Sequence, residues 1–430
     1  MKSLKGKRLL VLGGGLASYN VVATAKKAGV YTVVADYYED GAAKRIADES
    51  MVVSTVDIEA LTRIIKNKNI DGVFCGPSEF NLLNTLKLCQ SAGLPFYATR
   101  KQWDTCSNKA SFKEMCRRYQ VPCVPEYYLT EEFLKEDLEK IVYPVMVKPV
   151  DSSSSRGIAV CQNQEELIPA YIEALKFSEK KQVIVEKYIE NDVAFAVRYL
   201  AYNGNIYLLL ANDRYVVDPI GREALISGVA VYPSKFTEKY IREVDSNVKK
   251  MFQGIGIANG AFFMQALIDP DDGNIYFHEM GLRLSGGLTY VITEPTTGIN
   301  DMLMMIRSAL GEDFSSPEEI EKVDPYLNNK IAISICIPLK EGIIGRVEGL
   351  ETCLSRLQIL EYFQYYQIGD EITRQRIGTL DQHFCRIKFL VESYEDISQK
   401  IEFIQDRLKI YDNKNEDMIF MRFDTDRLYL

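Results

Sequence analysis

Short apolar runs alternate with a helical pattern over residues 1–104. The runs that predict strands span residues 8–12, 31–35, 51–54 and 72–75. A helix is predicted over residues 16–28, between the first two of these strands. Because strands that alternate with helices form βαβ units, the pattern predicts a Rossmann-like domain with a parallel sheet.

The turn after the first predicted strand is rich in glycine. The stretch Gly13-x-Gly15-x-x-Ser18 resembles a dinucleotide fingerprint, and Asp36 lies near the spacing expected for a ribose-binding acid. One interpretation is a nicotinamide site, and the other is a tight strand-to-helix turn with a structural role. Ser18 replaces the third glycine of the fingerprint, which favours the structural interpretation.

After residue 104 the pattern changes to short strands joined by tight turns. The helix that opens this region has an apolar face formed by Phe112, Met115, Cys116 and Tyr119. Strands are predicted over residues 145–148, 157–160, 195–202 and 206–210. Asn203-Gly204 joins the last two strands and is typical of a two-residue hairpin turn. The pattern predicts an α+β region over residues 105–312.

A third region is predicted over residues 313–430. It begins with an apolar strand over residues 331–337. It ends with a helix whose apolar stripe is Ile397, Ile401, Ile404 and Leu408. We expect a C-terminal α+β subdomain that is rich in β-structure.

Composition and charge exclude several classes of function. The 430 residues carry a formal net charge of −9, which argues against a nucleic-acid partner. Nine cysteines without a C-x-x-C pair, together with only two histidines, make a zinc site or a disulfide framework unexpected. No apolar stretch approaches the roughly 20 residues of a spanning helix, and the N-terminus lacks a signal-peptide core. The sequence predicts a cytoplasmic protein with no membrane partner.

A lysine ends the predicted strand over residues 145–148. Lys148 would be costly to bury without an anion, and it is followed by Pro149, Val150 and the polar loop Asp151-Ser-Ser-Ser-Ser-Arg-Gly157. Hydroxyl and backbone N–H groups of Ser153, Ser154, Ser155 and Gly157 are suited to binding a phosphate. The alternative is a solvated hairpin tip.

A second strand leads into the segment Glu186-Lys187-Tyr188-Ile189. A carboxylate followed by extended backbone suits the exocyclic amine and ring nitrogen of an adenine. The alternative is an edge strand that carries a surface Glu-Lys pair.

A hairpin is predicted around the turn Asp271-Asp272-Gly273. Gln265 and Glu279 lie at equal distances on either side of Asp272, so their side chains are expected on one face about 5 Å apart. Magnesium prefers one or two such ligands, with the rest supplied by water and phosphates. The alternative is a solvent-facing polar pair.

An arginine follows this hairpin. Arg283 precedes Ser285-Gly286-Gly287 and is placed to stabilise the charge of a transferring phosphoryl group. The alternative is a helix-capping or salt-bridging arginine.

Taken in order, these motifs resemble the ATP-grasp superfamily, in its carboxylate–amine ligase type and close to the carbamoyl phosphate synthetase and amino-acid ligase branch. The resemblance implies a parallel-sheet pre-ATP-grasp domain over residues 1–104, a two-subdomain ATP-grasp domain over residues 105–312, and the C-terminal segment. It implies that Lys109 and Lys148 contact phosphates, that residues 152–157 form the phosphate loop, and that residues 186–189 form the adenine hinge.

The resemblance also assigns the remaining site residues. Gln265 and Glu279 take the two metal-ligand positions, and Arg283 matches the arginine of the Glu-x-Asn-x-Arg signature. Two positions depart from the family. Gly281 replaces the signature asparagine, and Val193 stands where many members place a ribose-binding glutamate, a role that Asp192 can take.

The activity that the resemblance implies is an ATP-dependent ligase with Mg²⁺, or alternatively Mn²⁺, as its ion. The enzyme would activate a carboxylate as an acylphosphate for attack by an amine or a thiol, and release ADP and phosphate. Arg198 and Arg214 are candidates to hold the substrate carboxylate. The alternatives are a biotin-carboxylase-like enzyme and a non-catalytic ATP-binding module. The expected partners are small-molecule acid and amine substrates, and a homodimer is a candidate assembly.

Overall fold

The computed structural model describes residues 3–151, 157–190, 193–217 and 226–429. It begins with a parallel sheet in the order β3-β2-β1-β4. The strands are β1 (Arg8–Leu12), β2 (Tyr31–Asp36), β3 (Glu49–Val52) and β4 (Gly72–Phe74). The helices of this part are α1 (Leu16–Lys27), α2 (Ala42–Ile46), α3 (Ile58–Asn67), α4 (Glu79–Ala92) and α5 (Arg100–Ser107). The predicted alternation of strands and helices is confirmed.

The glycine turn after β1 is stabilised by hydrogen bonds to residues of the same domain. The backbone N–H of Gly14 donates to Asp36 Oδ2 at 2.6 Å, and the Gly14 carbonyl accepts from the Ala43 N–H at 2.9 Å. Gly13 has a φ of +103°, which a residue with a side chain rarely adopts. Because Asp36 bonds to the turn itself, the geometry supports the structural interpretation of these glycines.

A small antiparallel sheet follows, in the order β5-β8-β6-β7. Its strands are β5 (Glu126–Tyr127), β6 (Val145–Pro149), β7 (Ala159–Cys161) and β8 (Val183–Lys187). The neighbouring helices are α6 (Lys109–Tyr119), α7 (Lys135–Leu138) and α8 (Gln164–Lys176). Helix α6 connects this sheet to the next one, because Phe112 and Cys116 pack in the core of the large sheet.

The largest element is an eight-stranded sheet in the order β13-β12-β9-β10-β11-β14-β18-β16. Its strands are β9 (Val193–Tyr202), β10 (Asn205–Val217), β11 (Ile226–Tyr232), β12 (Gly260–Ile268), β13 (Ile275–Gly281), β14 (Ile331–Pro338), β16 (Gln358–Gln364) and β18 (His383–Val391). The described pairings are all antiparallel. Asn203 and Gly204 both have positive φ between β9 and β10, as the predicted hairpin requires.

The remaining elements surround this sheet. A three-stranded sheet is formed by β15 (Gly342–Glu348), β17 (Glu371–Ile372) and β19 (Lys409–Asp412). The helices are α9 (Thr237–Tyr240), α10 (Ser246–Ile255), α11 (Tyr290–Thr297), α12 (Asp301–Ala309), α13 (Pro317–Ile320), α14 (Leu350–Ser355) and α15 (Tyr394–Arg407). No helix in the described ranges is long and apolar enough to cross a membrane.

The two faces of the large sheet have different partners. Helices α6, α10 and α15 cover one face, and the stripe Ile397, Ile401, Ile404 and Leu408 is buried there as predicted. The other face packs against the first sheet's domain and helices α11 and α12. The C-terminal strands β14, β18 and β16 extend this same sheet. The domain boundaries after residues 104 and 312 stay predictions.

Candidate nucleotide and metal site

A buried group of charges lies on the small sheet. Lys148 on β6 and Glu186 on β8 form an ion pair, and Lys113 Nζ lies 2.7 Å from Glu186 Oε2. The exposed side-chain fractions are 1% for Lys113, 5% for Lys148 and 3% for Glu186. Burial raises the pKa of Glu186, but the two ammonium groups outweigh it and hold that pKa below its usual value. Lys113 Nζ also lies 3.4 Å from Glu126 Oε2, so Glu186 connects Lys148 to a second, separately paired lysine.

Sequence reasoning missed Lys113. It lies one turn after Lys109 on α6 and belongs to the face that also buries Phe112 and Cys116. Its ammonium donates to the Val124 carbonyl at 2.9 Å as well as pairing with Glu186. The signal that could have found it is a lysine on the apolar face of a helix, since such a lysine needs a buried partner.

The segment predicted as an adenine hinge is anchored at both ends. The backbone N–H of Lys187 donates to the Pro125 carbonyl at 2.8 Å, and that of Tyr188 donates to the Pro144 carbonyl at 3.1 Å. The Lys187 ammonium lies 2.6 Å from Asp269 Oδ2, and this hydrogen bond raises the pKa of Lys187. Ile189 is buried. The Lys187 side chain therefore ties the small sheet to the β12–β13 hairpin.

Lys109 is the first residue of α6, and Asn108 caps the helix. Burial lowers the pKa of Lys109, and the nearby charge of Lys148 lowers it further. Glu279 and Glu186 act in the opposite direction. Lys109 therefore lies within electrostatic reach of the buried charges on the small sheet and of the predicted metal pair.

The predicted pairing of Gln265 with Glu279 is confirmed, and it depends on a β-bulge. Next to the pair, Ala266 lies opposite Phe277, so a regular ladder would place Gln265 opposite His278. The register shifts between Gln265 and Ala266, and Gln265 lies opposite Glu279 instead. The extra residue on β13 thus brings two side-chain oxygens to the same face of the sheet.

His278, the residue that the bulge leaves unpaired, faces the small sheet. Burial lowers the pKa of His278 to about 3, with Lys148 as the next largest cause. The imidazole is therefore neutral at physiological pH. Lys109 also lowers this pKa, so the two lysines lie within electrostatic range of the strand that carries Glu279.

The side chain of Phe263 fills the position of the missing family asparagine. Gly281 lies opposite Phe263 in the ladder, and a Cβ on Gly281 would be only 2.6 Å from Phe263 Cζ. The glycine is therefore required by the packing of the ring. The predicted metal site has Gln265 and Glu279 as its side-chain ligands and no room for a third ligand at residue 281.

Arg283 is held by the first domain. Its Nε pairs with Glu79 at the start of α4, and its Nη1 donates to the Leu284 carbonyl at 3.0 Å. The guanidinium carbon lies 4.9 Å from the centre of the Phe263 ring. Sequence reasoning missed Glu79, because nothing near it in the chain indicates a partner so distant in sequence.

Two further arginines border the site on the large sheet. Arg214 Nη1 donates to Gln265 Oε1 at 3.3 Å. Arg198 is buried and donates to Asn212 Oδ1 and to Ser285 Oγ, the latter at 3.4 Å. Both were predicted as candidates to hold a carboxylate, and the structure places both beside the predicted metal pair or the loop that follows Arg283.

Some predicted site residues lie outside the described residues, namely Ser153, Ser154, Ser155 and Asp192. Gly157 has a φ of +74°, and a Cβ there would be 2.9 Å from Phe177 Cδ2. Within the described ranges, no group of three or more His, Cys, Asp or Glu side chains is arranged to hold a metal. The amide and carboxylate oxygens of Gln265 and Glu279 fit a magnesium ion whose other ligands are phosphates and water.

Comparisons with known proteins find a known ATP-binding domain in this chain. Residues 108–316 match the family described as carbamoyl-phosphate synthase L chain, ATP binding domain. The formate-dependent phosphoribosylglycinamide formyltransferase of Sulfurisphaera tokodaii is 29% identical over 320 residues, covering 71% of this chain and 76% of that protein. The 2-oxoglutarate carboxylase small subunit of Hydrogenobacter thermophilus is 27% identical over 343 residues, covering 74% of this chain and 70% of that protein.

Solved structures share the fold. The L-amino acid ligase of Bacillus licheniformis has a TM-score of 0.75 at 21% identity and covers 95% of this chain and 99% of its own. The biotin carboxylase domain of the Hydrogenobacter thermophilus 2-oxoglutarate carboxylase, in complex with MgADP and bicarbonate, has a TM-score of 0.74 at 24% identity, covering 94% of this chain and 91% of its own. The match over residues 108–316 identifies an ATP-grasp domain in this chain, and the solved structures share its fold.

Proposed function

We propose that this protein is a ligase that phosphorylates a carboxylate with ATP and joins the activated acyl group to an amine. The proposal depends on the position of Lys109 and Lys148, which lie within electrostatic range of the strand that carries Glu279, opposite Gln265. Cations on one side and metal-ligating oxygens on the other match the charge of a nucleotide triphosphate with its ion.

The small sheet would bind the nucleotide. Lys109 and Lys148 would contact its phosphates, and Ser153, Ser154, Ser155 and Gly157 would contribute hydroxyl and backbone N–H donors. Glu186–Ile189 and Asp192 would hold the adenine and the ribose. Because Glu186 pairs with two lysines, its first role would be to hold the Lys148 side chain in place inside a buried site.

The large sheet would bind the ion and the acid. Gln265 and Glu279 would hold magnesium, which would neutralise negative charge that develops during phosphoryl transfer. Arg214, next to Gln265, would orient the carboxylate toward the γ-phosphate. Arg283 would stabilise the transferring group, which requires its guanidinium to exchange Glu79 for a phosphate oxygen.

The reaction then proceeds in two steps. A carboxylate oxygen attacks the γ-phosphorus, the bond to the β-phosphate oxygen breaks, and ADP leaves. The amine nitrogen attacks the acyl carbon, and orthophosphate leaves with the former carboxylate oxygen while the nitrogen loses a proton. A thiol could replace the amine in the second step.

Product analysis tests the proposal. The protein is incubated with ATP, magnesium and candidate acids, with hydroxylamine as the amine. A productive acid should give ADP, orthophosphate and a hydroxamate in equal amounts. AMP and pyrophosphate would contradict the mechanism. Turnover with bicarbonate alone would favour the carboxylase-like alternative, which the relationship to a carboxylase subunit makes worth including. ATP binding without phosphate release for any acid would indicate a binding module.

The assembly also stays a proposal. A homodimer is proposed because the related biotin carboxylase domain was solved as a dimer. Light scattering after size exclusion would measure the mass of the particle in solution, and a monomer mass would contradict it.

A further inference from the structure

Two arginines lie on the same face of the large sheet, on the neighbouring strands β9 and β10. Ala194 lies opposite Arg214 in the ladder, and Arg198 lies four residues beyond Ala194 on the same strand. Side chains at even offsets along a strand share a face, so both arginines point to the side that packs against the first domain. The offset places their backbones about 13 Å apart along the strand direction.

Neither guanidinium has a carboxylate partner in the described part of the chain. Arg198 donates to neutral groups, the side-chain oxygens of Asn212 and Ser285 and the Ala196 carbonyl. Arg214 donates to the Gln265 amide oxygen, and its Nε is buried without a hydrogen-bond partner. By contrast, the comparably buried Arg307 is paired with Glu319 at 2.8 Å.

Within the described residues, the positive charge of Arg198 is only partly balanced. Only 8% of Arg198 is exposed, and burial lowers its pKa. The charge of Arg214 lowers this pKa further, and Asp301 is a nearby acid that raises it. Glu279 is the acid that acts on Arg214 in the same way. Burial raises the pKa of Asp301 to about 7, so this acid supplies only part of a negative charge at neutral pH. A buried cation without a counter-ion is costly, so an anion is expected to complete the site.

Further hydrogen-bond donors lie close to Arg198. Ala196 and Ala194 follow Arg198 on the same face of the strand, in the direction of Arg214, and their side chains are small. A Cβ on Gly287 would lie 3.8 Å from Arg198 Nη2 and 3.9 Å from the Tyr232 hydroxyl, so these two donors meet beside a residue without a side chain. The Arg198 guanidinium, the Tyr232 hydroxyl and the Ser285 hydroxyl therefore form a donor set suited to an oxyanion.

We infer that the acid substrate is a dianion, with a second anionic group, a carboxylate or a phosphate, bound by Arg198. The carboxylate to be activated lies at Arg214 beside the Gln265–Glu279 pair, and this part rests on the proposed function. Each arginine has hydrogen-bond partners of its own, Asn212 and Ser285 for Arg198 and Gln265 for Arg214, so we assign one anionic group of the substrate to each.

The test uses matched acids with hydroxylamine as a common amine. Succinate, glutarate and adipate are compared with butyrate, valerate and hexanoate, and a phosphorylated carboxylate such as 3-phosphopropionate is added to separate carboxylate from phosphate as the second group. Phosphate release gives kcat/KM for each acid. We expect the favoured dianion to exceed its monoanionic match by at least tenfold, the scale of one charge-assisted hydrogen bond.

The Arg198→Met variant keeps most of the side-chain volume. It should reduce the ratio of kcat/KM for a dianion to kcat/KM for its matched monoanion to about one. Ser285→Ala should also reduce this ratio. Arg307→Met removes an arginine of similar burial elsewhere and should keep the ratio of the native protein. Melting curves confirm that each variant is folded. Equal kcat/KM values for matched dianions and monoanions in the native protein would overturn the inference. A ratio in Arg198→Met that equals the native ratio would also overturn it.

Binding without ATP separates this inference from the proposed function. Calorimetry measures the affinity of each acid for the native protein and for Arg198→Met. If no acid is phosphorylated but dianions still bind in an Arg198-dependent manner, the anion site stands and the proposed reaction fails. If acids are phosphorylated without preference for a second charge, the reaction stands and the anion site fails.

Discussion

Glu279 lies opposite Gln265 because His278 is bulged out of the ladder between β12 and β13. The bulge matters for chemistry, since a regular ladder would pair the glutamine with a histidine and turn Glu279 to the other face. Two metal-ligating oxygens therefore converge because of one irregularity in the strand.

Removing the carboxylate charge of this pair should abolish metal binding. Glu279→Gln keeps the shape of the side chain, and we expect loss of magnesium-dependent turnover with near-native thermal stability. Titration of Mn²⁺ in the presence of ADP, followed by electron paramagnetic resonance, measures the ion independently of activity. Glu341→Gln, at an exposed position, is the matched control. Native Mn²⁺ affinity in Glu279→Gln would show that the pair is not a metal site.

Restoring the family asparagine at residue 281 should not add a metal ligand unless the Phe263 ring is also removed. Gly281→Asn places a Cβ against Phe263, so we expect destabilisation by about 1–3 kcal/mol from overpacking and no gain in Mn²⁺ affinity. Phe263→Ala with Gly281→Asn opens the space, and this double variant should bind Mn²⁺ more tightly than Phe263→Ala alone. Tighter binding in the Gly281→Asn single variant would contradict the packing argument.

Lys148 should contribute both to the affinity for ATP and to the thermal stability of the fold. Lys148→Met removes a phosphate contact, and we expect ATP affinity to fall by about 1.5–3 kcal/mol in calorimetry. The change also leaves the buried Glu186 with Lys113 as its partner, so the melting temperature should fall. Adding Glu186→Gln should recover part of the stability without recovering ATP affinity. Lys176→Met, on the exposed side of α8, should change neither quantity, and native ATP affinity in Lys148→Met would exclude the proposed contact.

The buried Asp301 should make stability depend on pH. Burial raises its pKa from 3.8 to about 7, so the folded protein binds the proton more tightly than the unfolded chain. This contribution to stability is complete below pH 3.8 and is lost as the pH rises toward 7. Asp301→Asn removes this titration, so the variant does not lose this contribution as the pH rises. The free energy of unfolding of the variant, relative to that of the native protein, should therefore increase by roughly 2–5 kcal/mol between pH 4 and pH 7. Urea unfolding across this range measures the difference, and a constant difference would contradict the assigned burial.

Several features of the fold and the site followed from local sequence patterns. The alternation of strands and helices over residues 1–104, the Asn203-Gly204 hairpin and the stripe beginning at Ile397 depend on turn chemistry and periodicity, which act between near neighbours. The Gln265–Glu279 pairing was predicted from symmetry about the turn.

The features that were missed depend on distant contacts. Symmetry about the turn could not reveal the bulge at His278 that makes the Gln265–Glu279 pairing possible. The salt bridge from Glu79 to Arg283 and the pairing of Lys113 with Glu186 each join positions far apart in the chain. Symmetry about the turn also places Phe263 opposite Gly281, but the close approach of the ring to this glycine depends on side-chain packing. Such contacts are set by tertiary packing, which no local pattern contains.

The central claim is that the carboxylate of the acid attacks the γ-phosphate of ATP. An acid labelled with ¹⁸O in its carboxylate tests this most directly, with mass spectrometry of the orthophosphate and nucleotides after turnover with an amine. The account predicts ADP, and orthophosphate that carries one ¹⁸O atom from the acid. Label in AMP, or unlabelled orthophosphate formed together with the amide product, would contradict it.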